Sequence, residues 1–350
     1  MFTFPTTLVR DMARELVERI PSVDRLRFTA SGSEAVMFAV RLARLYTGKT
    51  KIAKMQGGYH GTFDPLWTGV AGEPGSLAGQ PDVPGMIPGV KNNLVILPFN
   101  HAERSVQIIE ENAKDLAIVC VEPVMGSTGM LPPKPGYLEA LRDVTRKHNI
   151  VLLFDEMISF SIARGGAQEF YGVTPDMTTT GKAIGGGMPL AIFGGRADIM
   201  ERADLWTRDG KPKAVQMATY GAHPLSLAAG HAVLQQLTPE VYTKLHRLGD
   251  RLRDGLKGLF ARREYPMQVS GVGHLFGIYC SRVPVWDYAT VQASNLQMIT
   301  TDITLGMLAR GYFMSHRARG CLSAAMSEEH VDGFIDAMDQ TLKEVDWPAV

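Results

Sequence analysis

The stretch TTTGKAIGGGMP (178–189) sets one lysine, Lys182, between a threonine run and a glycine run. Small neighbours leave room for a bulky ligand beside the chain. A lysine flanked by apolar and small residues can have a lowered pKa and become a nucleophile toward carbonyl groups. A surface loop with a stray lysine has the same appearance, so other residues must decide. FTASGSEAVMFAVRLARLYTG (28–48) places Ser31, Gly32 and Ser33 where a helical pattern begins, with Ser31 and Glu34 at capping-box spacing. Read alone, Ser31 is an ordinary N-cap. Small residues at a helix N-terminus also suit a phosphate group. Tyr59 lies among glycines in QGGYHG and is read either as an exposed turn residue or as an aromatic face for a flat ring. Glu122 follows the apolar run LAIVCV, and Asp155 follows VLLF. Acids at the carboxyl ends of parallel strands face the ligand crevice of α/β folds. Capping a turn is an adequate reading for Glu122 and Glu156, whereas Asp155 would be costly to bury unpaired. Thr219 precedes a helix that Pro224 could start, and alone it reads as a cap. Together these residues offer a phosphate cradle, a stacking ring, a carboxylate for a ring nitrogen and an amine for an aldehyde. Pyridoxal phosphate requires that set.

The elements that must position them follow from apolar patterning. LAIVCV (116–121), VLLF (151–154) and LAIFGG (190–195) are continuous apolar runs, as strands buried on both faces are. RLRFT reads as a further short strand. Helical stretches such as YLEALRDVTRKH (137–148) alternate with them, which predicts βαβ units and a parallel sheet. The segment 72–98 is rich in Gly and Pro and reads as a long loop, either functional or mobile. After about 236 the pattern changes. A long amphipathic helix (240–260), an apolar segment near 272–280 and a C-terminal helix (328–345) predict a smaller α+β domain.

Composition excludes several classes. Lys plus Arg and Asp plus Glu both number 36, so no basic field exists for nucleic acid or an anionic membrane. No apolar run approaches the roughly 20 residues of a membrane span. Three scattered cysteines argue against a disulfide framework, and the N-terminus is unlike a signal peptide, so a cytoplasmic location is expected. Nine histidines show no metal-ligand spacing, and no metal is expected. GVGHLFG (271–277) has the wrong glycine spacing for a dinucleotide fingerprint and reads as a turn.

The chain resembles the class III aminotransferases of the fold-type I pyridoxal-phosphate enzymes, in the branch near glutamate-1-semialdehyde aminomutase. The resemblance rests on FTASGSEAVMFAVRLARLYTGKTKI, GGYHG, VEPVMGSTGMLPPKPGYLEALR, LLFDE, GGAQEFYGVTPDMTTTGKAIGGGMPLAIFGG and ATYGAHPLSLAAG, in family order over about 25–235. It implies an α/β large domain with a mainly parallel seven-stranded sheet, here 25–238, and a small C-terminal domain, 239–350. It also implies a homodimer with shared active sites, acting on small amines or amino acids and oxo acids in ping-pong half-reactions. Lys182 would form the Schiff base with pyridoxal phosphate and shuttle the proton. Asp155 would pair with the ring nitrogen, Ser31, Gly32 and Ser33 would lie at the phosphate, and Tyr59 would stack on the ring. Glu122 would sit close to the cofactor. Met157, where the family usually has valine, would pack on the far face. Thr219 would reach the phosphate of the neighbouring subunit.

Two departures accompany the resemblance. The arginine that often follows the DE pair is replaced, with Ser161 at the closest position and Arg164 three further on. Residues 1–24 predict only a short helix where the family carries several dozen residues that wall the substrate pocket. Both departures favour amines or bulky amino compounds over a tightly held dicarboxylate. Two other readings stay open: an intramolecular amino shift of the aminomutase type, and a catalytically silent dimer.

Overall fold

Seven strands form the frame of the site: β1 (Arg25–Thr29), β2 (Lys51–Met55), β3 (Leu94–Leu97), β4 (Leu116–Val121), β5 (Val151–Asp155), β6 (Met177–Thr180) and β7 (Ala191–Gly195). They are seen in a computed structural model that describes residues 6–69, 85–87, 89–294, 297–315 and 317–347. Of the loop expected over 72–98, residues 72–84 and 88 lie outside the described residues.

The sheet order is β1-β7-β6-β5-β4-β2-β3, and β7 alone runs against its neighbours. The sheet is therefore mainly parallel, with β4 to β7 buried throughout, as the apolar runs of β4, β5 and β7 require, while β6 (MTTT) buries threonines. β7 was expected within a parallel sheet and is antiparallel. Its glycines allow close neighbours: a Cβ on Gly195 would lie 2.4 Å from the Asp176 carbonyl oxygen. β3 falls inside the region read as loop. It has only four residues, follows a Gly/Pro-rich run, and pairs with β2 at the sheet edge.

Helix Gly32–Thr47 packs its apolar stripe (Val36, Ala39, Val40, Ala43) on the sheet. Ser31 caps it by accepting from the Glu34 amide at 3.3 Å, and Gly48 ends it in the left-handed region at φ 70°. Glu34 reaches the Ala30 amide at 2.8 Å rather than that of Ser31, so the box closes one residue early. Helix Pro224–Gln236 starts at its proline as expected, but His223 is the cap, its ring accepting from the Leu225 amide at 3.2 Å. Thr219 is not the cap.

Contacts divide the chain into Met1–Val124 with Pro133–Thr238, and Met125–Pro132 with Pro239–Val350. The second unit packs helices Pro239–Arg262, Gln297–Ala309 and Glu328–Glu344 against an antiparallel sheet. Its strands are β8 (Met267–Ser270), β9 (Leu275–Cys280) and β10 (Arg319–Cys321), around a core that includes Leu248, Leu252 and Leu256. Segment 125–132 was read within 25–238 and belongs here. Tyr279 and Ser270 donate to the Gly129 carbonyl at 2.5 and 3.1 Å, and Arg319 Nη1 donates to that of Gly126 at 2.6 Å. No described helix is long and apolar enough to cross a membrane.

Candidate active site

β5 ends in Asp155, and the chain then leaves the sheet at the carboxyl edge of the parallel strands. The Asp155 carboxylate is buried, and three donors fix its orientation. His60 Nδ1 lies 2.8 Å from Oδ2, while the Thr179 hydroxyl and the Met157 amide approach Oδ1 at 3.1 and 3.3 Å. Thr179 pairs with Asp155 across the β5–β6 ladder, so strand register delivers that hydroxyl.

Lys182 follows β6 and begins a short 3-10 turn, Lys182–Gly185. Its φ of 46° lies in the left-handed region, a strained setting for a side chain of this length. The neighbouring backbone locks it in place. A Cβ on Gly181 would lie 2.8 Å from Met157 Sδ, and one on Gly230 would lie 2.3 Å from the Ile184 carbonyl oxygen. Helix Pro224–Gln236 thus presses on the turn that presents the lysine.

The segment 56–69 after β2 brings in Tyr59 and His60. The Tyr59 amide donates to Glu122 Oε1 at 2.9 Å, and the Thr62 amide to Ser33 Oγ at 3.0 Å. Gly61 packs so tightly on Ser33 that a Cβ there would lie 2.5 Å from Ser33 Oγ. Beneath the loop, burial pushes the Lys54 ammonium down to about 7, against the pull of Glu122.

These elements enclose a cavity of about 270 Å³ lined by Ser31, Gly32, Ser33, Tyr59, Asp155 and Lys182, with His60 and Met157 also on its wall. It joins a helix N-terminus, an aromatic ring, a buried carboxylate and an exposed amine. Among the described residues, no chain acceptor takes the amides of Gly32 and Ser33. A Cβ on Gly32 would meet Met157 Sδ at 2.9 Å, so the helix opens toward the cavity without a side chain at that point.

The chain belongs to the class-III aminotransferases. The family described as "Aminotransferase class-III" matches residues 2–342. Glutamate-1-semialdehyde 2,1-aminomutase of Methanothermobacter thermautotrophicus is 38% identical over 342 residues, covering 97% of this chain and 79% of that protein. An omega-transaminase from Sphaerobacter thermophilus superposes with a TM-score of 0.91 at 36% identity, over 98% of this chain and 79% of that one. A beta-phenylalanine aminotransferase from Variovorax paradoxus gives 0.85 at 30% identity, over 97% and 75%. The fold is that of the fold-type I pyridoxal-phosphate transferases.

For a class-III aminotransferase, two of the residues read from sequence lie off the cavity wall. Glu122 is buried and grips the Tyr59 amide. Thr219 is exposed in a turn of the same unit. Two residues that contact the Asp155 carboxylate went unread. His60 stands beside Tyr59 in QGGYHG, and an imidazole next to the residue singled out was the available signal. Thr179 stands in a threonine run whose hydroxyls are all buried. A larger groove of about 570 Å³ lies at the opposite ends of the strands. Its Arg142 and Arg196 clasp Asp176, and its Lys49 donates to the carbonyls of Ala113 and His148. Those cations serve the chain itself.

Proposed function

We propose that this chain is a pyridoxal-phosphate-dependent aminotransferase moving an amino group from an amine or amino acid to an oxo acid. The observation that carries the reading is the joint placement of Lys182 and Asp155. One is an amine on a strained turn and the other a buried, three-donor carboxylate, and both open on one cavity beside a helix N-terminus. Pyridoxal phosphate supplies an aldehyde that condenses with amines and a ring that draws electrons from the adjacent carbon. The residues present fit that group. The Gly32 and Ser33 amides and the helix dipole receive the phosphate. The Asp155 carboxylate holds a proton on the ring nitrogen. Tyr59 and Met157, both on the cavity wall, would hold the ring by apolar contact. Lys182 Nζ takes the proton from the donor's α-carbon, as a positioned general base does. Met217 and Tyr220, both exposed, flank Thr219 in the chain, and a second copy of the chain is their proposed cover.

Intramolecular amino transfer is the second reading, and the identity to an aminomutase supports it. The test is a donor screen of amines, β-amino acids and α-amino acids with pyruvate or 2-oxoglutarate, beside a reaction given glutamate-1-semialdehyde alone. Oxo-acid-dependent turnover supports the transaminase. Isomerisation without any acceptor supports the aminomutase. Absence of both reactions, with cofactor colour unchanged by every donor, refutes the enzymatic proposal.

A further inference from the structure

Unlike the exposed Lys182, another lysine of the same unit is fully buried. Lys54 sits inside β2 with no exposed surface. Its ammonium donates to the carbonyl oxygens of Leu66 at 2.7 Å and Thr68 at 3.0 Å. Burying an ammonium is expensive unless its donors are satisfied, so its position needs a reason.

The two acceptors bracket one residue, Trp67, the last of the short helix Asp64–Trp67. The Trp67 ring meets the Tyr59 ring edge-on, with centroids 5.6 Å apart and planes at 73°. A continuous path therefore runs from Lys54, through the backbone on either side of Trp67, to the aromatic face of the cavity. The loop has other anchors. Gly57 N donates to the Gly69 carbonyl at 3.0 Å and closes the neck, Glu122 holds the Tyr59 amide, and Ser33 holds that of Thr62. Those three fix the neck and the near limb. Lys54 holds the far limb, from which Trp67 reaches back.

We propose that Lys54 is a positioning residue that sets the pose of the Tyr59 ring by clamping the backbone around Trp67. This rests on the reading that the cavity binds pyridoxal phosphate. Lys54 does not line the cavity, so its influence must pass through the loop.

The experiment measures the dissociation constant of pyridoxal phosphate by equilibrium dialysis for the wild type, Lys54→Met, Tyr59→Ala and the double variant, with melting curves for each apoprotein. Lys54→Met and Tyr59→Ala are each expected to weaken binding about tenfold, from lost buried charge-assisted bonds and a lost ring contact respectively. The double variant is expected to be no weaker than the worse single, because both changes act on one ring. A Lys54→Met protein that melts earlier yet binds within twofold of wild type overturns the proposal, as do losses that simply multiply. Trp67→Leu leaves the Lys54 clamp intact and removes only the ring. It should reproduce the Lys54→Met loss, and if Lys54→Met fails to fold, normal binding by Trp67→Leu overturns the route on its own. A wild-type protein that does not bind the cofactor removes the functional reading, and this inference with it.

Discussion

His60 Nδ1 stands 2.8 Å from Asp155 Oδ2, with both side chains sealed from solvent. A hydrogen bond to a charged group is worth about 1.5–3 kcal/mol, which corresponds to roughly 10- to 100-fold in binding or rate. His60→Phe keeps an aromatic of similar shape but removes the donor, leaving Oδ2 one contact short. Cofactor affinity and turnover should fall within that range. His60→Asn retains a donor close to the place of Nδ1 and should recover part of the loss. Equal behaviour of the Phe variant and the wild type, in dialysis and in initial rates, would show that Asp155 is oriented without the imidazole.

Lys182→Ala should remove the nucleophile and the base together. Loss of a positioned base alone lowers a rate by roughly 10²- to 10⁴-fold. Borohydride reduction of the wild type followed by peptide mass mapping should place the cofactor on the peptide containing Lys182, and the variant should yield no adduct. An adduct on Lys54 or Lys49 instead would mean that the wrong amine has been assigned.

What the sequence disclosed and what it hid divide along physical lines. Lys182, Asp155 and Ser31 were legible because each sits at an element end, where strand and helix signals locate it, and Tyr59 because glycines flank it in the loop after β2. His60 and Thr179 were not, because their contacts with Asp155 depend on which elements stand beside which. Thr179 reaches Asp155 only through the β5–β6 register, which no local pattern encodes. The antiparallel sense of β7 was hidden for the same reason: a buried strand has the same apolar run in either direction. Segment 125–132 shows the limit at domain scale. Its residues follow a strand of the first unit, but its carbonyls are claimed by Tyr279, Ser270 and Arg319, far along the chain.

Gly249→Ala tests packing against propensity. Within helix Pro239–Arg262, alanine is favoured over glycine by about 1 kcal/mol. A Cβ at Gly249, however, would lie 1.8 Å from the Gly273 carbonyl oxygen, a backbone atom that cannot rotate away. Overpacking of this kind typically costs about 1–3 kcal/mol, so the clash should win. Chemical denaturation should show net destabilisation by about 1 kcal/mol, whereas a gain in stability would mean that the helix and turn can separate at little cost.

His274 sets a pH dependence of stability whose sign can be stated. It is buried, and burial pushes its imidazole down to about 4, with His246 and Arg253 adding to the effect. In the unfolded chain the same group titrates near 6.5. Between these values the unfolded state binds the extra proton, so stability rises with pH there. Relative to pH 7, the contribution is lost as pH falls from about 6.5 through about 4. The span is worth roughly 3 kcal/mol at 1.36 kcal/mol per unit. His274→Leu should therefore flatten the fall in urea midpoint between pH 7 and pH 4, and its stability difference from wild type should shift in its favour as the medium becomes acidic. Parallel curves for the two proteins over that range would show that the imidazole takes up its proton inside the folded state.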